Sequence, residues 1–268
     1  MSEVVLTFII PLRHPQNARN WSVLKRILTQ TMRSISGQDD GRWRAIIVAN
    51  RGSDLPPLPE KFELIEVDFP PNPMHEQGGN SREAFLDSCR VDKGRRVLVG
   101  ILAAEQSEFV MVVDDDDFVN RRLTSFAASQ AGASGWYMED GYIWGDGGRL
   151  IYKFPLFWRF CGTSHIVRRA SYEVPASLEA ADLTYVRRIF GCHVYARDYL
   201  AKRGVPLEPL PFLGAIYRLG HINAHSKSPS LLRQVFYKRE LIKNPWQLPW
   251  RISRLRFLNA EVRRQFWG

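Results

Sequence analysis

The amino-acid sequence predicts an α/β fold, a mostly parallel central sheet with flanking helices, followed by a basic, aromatic C-terminal helical tail. Three observations carry that expectation. From Val4 to Asp114, strand-sized apolar runs alternate with helical patterns, the order that builds a doubly wound parallel sheet. The runs Val4–Leu12 and Phe109–Val113 show almost no polar alternation, as in strands buried on both faces. Ten Lys and Arg against two Glu lie between Ser226 and Gly268, almost the whole net charge of +9.

The elements follow in order. Val4–Pro11 reads as a central strand. Asn20 can cap a helix whose Trp21, Leu24, Ile27 and Leu28 recur at helical spacing, and Gly37 can stop it. Arg44–Asn50 is a second strand ending in the turn-forming Asn50-Arg51-Gly52-Ser53-Asp54, and Phe62–Phe69 a third. Asp92–Glu105 places Val97, Leu98, Ile101 and Leu102 on one helical face and leads into the strand Phe109–Val113. Beyond it, Gly135–Tyr152 reads as an aromatic hairpin turning at Gly145-Asp146-Gly147-Gly148. A strand near 162–167 and one helix over 183–204 follow. In the tail, a helical pattern at Leu231, Leu232, Val235 and Phe236 is broken by Pro245 and Pro249 and resumes at Ile252, Leu255, Phe257 and Leu258.

Composition excludes several classes. With 268 residues, 45% hydrophobic and 24% charged, the chain is neither disordered, collagen-like nor a small disulfide scaffold. No run approaches the roughly 20 apolar residues of a spanning helix. The opening MSEVVLTFII has an acidic residue in place of a basic n-region and no small-residue cleavage site, so no secretory signal is expected and a cytoplasmic location is. Three widely spaced cysteines, Cys89, Cys161 and Cys192, lack any CxxC and read as reduced thiols.

The most informative feature is Asp114-Asp115-Asp116-Asp117, directly after the apolar FVMVV. In an open α/β sheet ligands bind beyond the carboxyl ends of the strands, so these carboxylates should reach the crevice. Adjacent anions need a cation, and Mg²⁺ or Mn²⁺ commonly takes one or two carboxylates plus substrate phosphate oxygens. A solvated acidic turn capping the next helix would give the same run.

With these residues in view, the stretch from about Val4 to Ser226 resembles a glycosyltransferase of the GT-A fold, nearest to the large family 2. The resemblance rests on FIIPLRHPQN, on VANRGSD after the second strand, and on DKGRRVLVGILAAEQSEFVMVVDDDD. It implies a metal-binding role for Asp116, with Asp114 and Asp115 at the nucleotide sugar and Asp117 supporting. It places Pro11, Arg13, Asn50 and Asp54 along the nucleotide crevice, while Lys93 or Arg96 could reach the diphosphate. Family members carry a Glu-Asp pair eleven residues before a glycine; here Cys192-His193 stands there relative to Gly204. His193 is then the expected base toward the acceptor hydroxyl, leaving inverting and retaining outcomes both open. Asp140, in the acidic pair Glu139-Asp140, ranks second. In YRLGHINAHSKS, His221 or His225 is expected to complete the metal shell, with His225 favoured because Ser226 and Lys227 follow it. Trp136, Tyr137 and Glu139 are expected to form an acceptor platform, with His165 contacting sugar.

The sequence therefore predicts a catalytic domain over residues 1–226, with a nucleotide-binding half (1–117) and an acceptor half (118–226), and a basic extension over 227–268. The expected activity is metal-dependent transfer of a hexose from a nucleotide-diphosphate sugar, UDP-sugar favoured, to a hydroxyl of a glycan or lipid-linked acceptor. Trp246, Trp250, Phe257 and Trp267 among the tail arginines suit an anionic membrane surface at the inner face of the cytoplasmic membrane, and no nucleic-acid reading motif accompanies them. Two rivals remain: a non-catalytic polyanion or membrane-surface module on a decayed transferase fold, and a sugar nucleotidylyltransferase. The latter would show a glycine-rich loop after the first strand, and PLRHPQNARN has no glycine; no GxxxxGK[ST] P-loop occurs either.

Overall fold

The computed structural model of the chain describes residues 4–74, 81–223, 230–236 and 244–268. Strands β1 (Val4–Pro11), β2 (Trp43–Asn50), β3 (Phe62–Val67) and β4 (Ser107–Val112) are parallel, in spatial order β4-β1-β2-β3. Leu6, Phe8, Ile9 and Ile10 of β1 are fully buried, which is why this segment is apolar at successive positions. Helix α1 (Trp21–Ser36), whose N-cap Asn20 accepts from the Val23 amide at 3.0 Å, buries Leu24, Leu28, Met32 and Ile35 on one face of the sheet. Helix α2 (Arg82–Ala103) covers the other face, placing Val97, Leu98 and Ile101 against Ile9, Ile46, Val48 and Val110.

After the aspartates the chain enters β5 (Phe118–Val119), then helix α3 (Leu123–Ala128) and strands β6 (Gly135–Tyr137), β7 (Asp140–Gly145), β8 (Leu150–Pro155), β9 (His165–Arg168), β10 (Glu208–Pro209), β11 (Ala215–Leu219) and β12 (Leu255–Phe257). Strand β9 pairs antiparallel with both β4 and β6, and β10 joins the edge, so the first sheet reads β10-β6-β9-β4-β1-β2-β3. The others form a second sheet, β12-β8-β7-β11-β5.

Three expectations are corrected here. The aromatic stretch 135–152 is not one hairpin: β7 and β8 form it, whereas β6 crosses to the first sheet, where Trp136 is needed in the core beside Phe109 and Phe126. The single helix over 183–204 is broken. A helical turn α4 (Leu183–Tyr185) passes into a π-helical segment, Val186–Phe190, and a new helix α5 (His193–Lys202) starts after Cys192 takes an extended conformation. The break lies where the backbone meets α2: a Cβ on Gly191 would stand 2.0 Å from the Arg90 carbonyl oxygen. In the tail, helices α6 (Leu231–Phe236), α7 (Gln247–Ser253) and α8 (Ala260–Phe266) are joined by β12 where a resumed helix was expected. Pro249 does not break α7 because it lies in the first turn, whose amides need no intrahelical partner.

Candidate active site

Strands β1 and β4 end side by side, the Val113 amide donating to the Ile9 carbonyl at 2.9 Å, and the chain beyond them opens on a cleft of about 330 Å³. Each wall comes from a different element. Pro11 ends β1 and Arg13 follows it, Asp114–Asp116 follow β4, Asp92, Lys93 and Arg96 project from α2, and Cys192 caps α5, which His193 and Val194 begin. Of the residues predicted from sequence, Pro11, Arg13, Lys93, Arg96, Asp114, Asp115, Asp116 and His193 all line this one space.

Three of the four consecutive carboxylates have separate partners. Lys93 Nζ donates to Asp114, Arg13 lies 3.6 Å from Asp115, and His221 Nε2 is 2.7 Å from Asp116 Oδ2. Burial raises the pKa of Asp115. Burial also acts to raise that of Asp116, but the hydrogen bond and charge of His221, with Arg13 and Arg218, outweigh it and hold this carboxyl below its usual range. Burial likewise opposes the charge on Lys93, yet Asp114 holds its pKa above the ordinary value. Asp117 turns inward, fully buried, accepting from the Cys161 thiol at 3.2 Å and the Arg218 amide at 3.3 Å. Burial, then its two acidic neighbours, drive its pKa well up; fully buried and absent from the cleft lining, Asp117 supports the turn from within.

Two buried polar atoms on cleft-lining residues have no partner. Arg96, 1% exposed, pairs with Asp92 at 3.0 Å and lies over the Phe69 ring, but its Nη1 is unsatisfied. His193 is the first residue of α5; its Nε2 is likewise unpartnered. Burial, then the charge of Lys93, lowers the His193 pKa to about 4. Behind these residues, a small cavity of about 30 Å³ is lined by Lys93, Gly162, His165 and His193, room for one water.

Asp116 and His221 offer the oxygen and nitrogen donors that Mn²⁺ accepts, and the buried Nδ1 of His221 is unpartnered. No group of three His, Cys, Asp or Glu converges among the described residues. Water and phosphate oxygens would have to complete the shell of a bound cation, which suits Mg²⁺ and Mn²⁺. Asp116 and His221 are the residues that could hold such an ion here. His225 lies outside the described residues.

Other predicted residues stand elsewhere. Asn50 is buried and donates to the Phe69 carbonyl at 2.6 Å, and Asp54 is exposed, paired with Lys25 at 2.5 Å; neither lines the cleft. Asp140 is held by Lys153 (2.9 Å) and Arg254 (2.5 Å), so its carboxylate serves a tertiary contact in place of a base. The acceptor platform is not assembled: Trp136 is buried in the core, Tyr137 packs on Trp158 and Arg197, and Glu139 is half-buried beside β7. His165 is buried, lines the small cavity, and has its pKa lowered to about 3 by burial first and His193 second.

Sequence reasoning missed two residues. Arg218, fully buried in β11, lies between the rings of Phe118 (4.5 Å) and Trp144 (5.3 Å) and donates to Gln30 at 2.6 Å; a lone arginine in the apolar run AIYRL was its signal. Asp92, which fixes Arg96, was legible as an i,i+4 acid–base pair.

No family model matches this chain, and no curated protein matches its sequence. Among solved structures, it is similar to S. aureus TarS residues 1–349 (TM-score 0.45, 13% identity, 80% of this chain and 60% of that one). The same TarS segment in complex with UDP-GlcNAc gives a TM-score of 0.44 at 15% identity, over 84% of this chain and 61% of that one. A further TarS crystal structure gives 0.45 at 13% identity over 81% of this chain, which spans 37% of that longer chain.

Proposed function

We propose that the chain is a glycosyltransferase that takes a nucleotide-diphosphate sugar as donor, a UDP-sugar before others, and a sugar hydroxyl as acceptor. The observation that carries this reading is the cleft beyond β1 and β4, lined by four acidic residues, Asp92, Asp114, Asp115 and Asp116, and four basic ones, Arg13, Arg90, Lys93 and Arg96, with two unsatisfied buried polar atoms among its lining residues. Buried polar groups are almost always satisfied in native proteins, so Arg96 Nη1 and His193 Nε2, unpartnered on residues of one cleft, are groups that a polar ligand there could satisfy. Arg13, Lys93 and Arg96 suit the oxygens of a diphosphate.

In this reading Arg13, Lys93 and Arg96 hold the diphosphate and oppose its growing charge as the glycosidic bond breaks. His193 Nε2, neutral near pH 7, accepts the proton of the acceptor hydroxyl as its oxygen attacks the anomeric carbon. A divalent cation held by Asp116 and His221 would supply further charge stabilisation at the departing phosphate oxygens. Asp117 and Arg218 keep the aspartate turn in place from behind.

Calorimetric titration with UDP, GDP, CMP and dTDP, with and without Mn²⁺, tests the proposal. Wild type should bind one of them in a metal-dependent manner, and Asp116→Ala should lose at least about tenfold in affinity, the worth of one charge-assisted contact. Binding of none of the four would overturn it.

A further inference from the structure

Helix α7 is arranged inside out. Arg251, and Arg254 at the C-cap, turn toward the rest of the protein: Arg251 donates to the Val235 carbonyl and, within the helix, to Gln247, and Arg254 donates to the Lys153 carbonyl at 2.7 Å and Asp140 at 2.5 Å. Its apolar residues face solvent. Trp246 is 71% exposed, Leu248 42%, Trp250 48% and Ile252 55%, and Phe257 on the adjoining β12 is 75% exposed. No residue of α7 is buried. A surface helix ordinarily buries its apolar stripe and exposes its charges; here arginines anchor the helix and leave two tryptophans, two aliphatics and a phenylalanine outward.

Such a patch marks a contact surface, and its chemistry selects among occupants. Arg256 beside Phe257, and Arg263 and Arg264 on α8, are exposed, in a segment where Lys and Arg outnumber Glu ten to two. Tryptophan and phenylalanine flanked by cations suit the boundary between headgroups and acyl chains, where rings enter the apolar layer and guanidinium groups meet phosphate. A protein partner would need matching acidic and apolar surfaces together, while a second copy of this basic segment would repel the first. No described helix is long and apolar enough to cross a membrane, so the contact is a surface one.

We infer that α7 and β12 form a docking surface for an anionic bilayer, with Trp246, Trp250 and Phe257 entering the headgroup region and Arg256 pairing with lipid phosphate. This surface is independent of the nucleotide cleft, and its test needs neither donor nor metal.

The full chain is mixed with phosphatidylcholine vesicles with or without phosphatidylglycerol, and bound protein is separated by flotation. Binding should require phosphatidylglycerol and weaken with salt. Arg256→Gln should lose about fivefold, and combined Trp246→Ala, Trp250→Ala and Phe257→Ala at least about tenfold. These side chains are exposed, so unchanged circular dichroism should accompany the loss. In the wild-type protein, brominated lipid should quench part of the tryptophan fluorescence, and Trp246→Phe with Trp250→Phe should remove that quenching while retaining vesicle binding. Failure of wild type to bind either vesicle overturns the inference. So does equal binding by the triple variant, or self-association in solution that the triple variant abolishes.

Discussion

His165 and His193 are both held neutral by burial, with pKa values lowered to about 3 and about 4. Ser164 spends its one proton on the Cys161 carbonyl at 2.6 Å, so its oxygen receives the Nδ1 proton of His165 at 3.1 Å, leaving His165 Nε2 a bare acceptor. An unfolded histidine titrates near 6.5, so as pH falls from 7 the unfolded chain takes up these protons first and stability drops. The stabilisation is whole above about pH 6.5 and is lost progressively toward pH 4 and below. Between pH 7 and pH 5 each histidine should withdraw about 2 kcal/mol. Urea denaturation at the two pH values checks this, with His165→Asn expected to flatten the dependence; an equal loss in that variant would refute it. Gly162 offers a second test. A Cβ there would stand 2.5 Å from Asp114 Oδ2 and 2.7 Å from Lys93 Nζ, so Gly162→Ala should push the pair apart and lower nucleotide affinity at least about tenfold. Titration calorimetry beside a melting curve separates that loss from unfolding.

Helix α2 approaches its neighbours without room for side chains. A Cβ on Gly94 would lie 2.5 Å from the Val186 carbonyl oxygen, and one on Gly100 would lie 2.4 Å from the Ile9 side chain. Gly94→Ala must displace the π-helical backbone, at a cost of about 1–3 kcal/mol, visible as a lower denaturation midpoint at unchanged slope. The same closeness explains what the sequence could and could not show. β1, β2, β4 and α1 were legible because a strand buried on both faces is apolar throughout and a capped helix repeats its apolar stripe. The α5 boundary was not: 183–204 keeps helical composition across Gly191-Cys192, and the break comes from Arg90, a hundred residues away. Likewise, the parallel pairing of β7 with β11 joins segments with no local pattern in common. In the site, the aspartates and the cations of α2 were legible from their place beside apolar runs, whereas Trp136 read as an acceptor contact and Asp140 as a second candidate base because sequence cannot show which ring the core takes or which carboxylate an ion pair holds.

At the scale of the molecule, the second sheet and the C-terminal tail pack together behind the aspartate turn. Phe118 of β5 packs with Trp144 and Trp267, Arg218 lies between the first two rings, and Asp117 accepts the Arg218 amide. Phe266 and Val262 of α8 complete the same cluster, and the Gln265 carbonyl accepts from the Arg121 amide at 2.9 Å. The tail is therefore tied to the residues that carry the candidate site, and its opening would loosen the support of Asp116 and Asp117. Phe266 is fully buried, and truncating such a ring costs about 3–5 kcal/mol. If α8 belongs to the cooperative unit, Phe266→Ala should lower the midpoint measured by far-ultraviolet dichroism and by tryptophan fluorescence together, in one transition. If α8 were an independent appendage, the variant would leave the dichroism midpoint in place and only the fluorescence of Trp267 would change. Coincident transitions would also mean that α8 folds with Phe118, Trp144 and Ile216 of the second sheet as one unit, so that the end of the chain belongs to the scaffold that holds the aspartate turn.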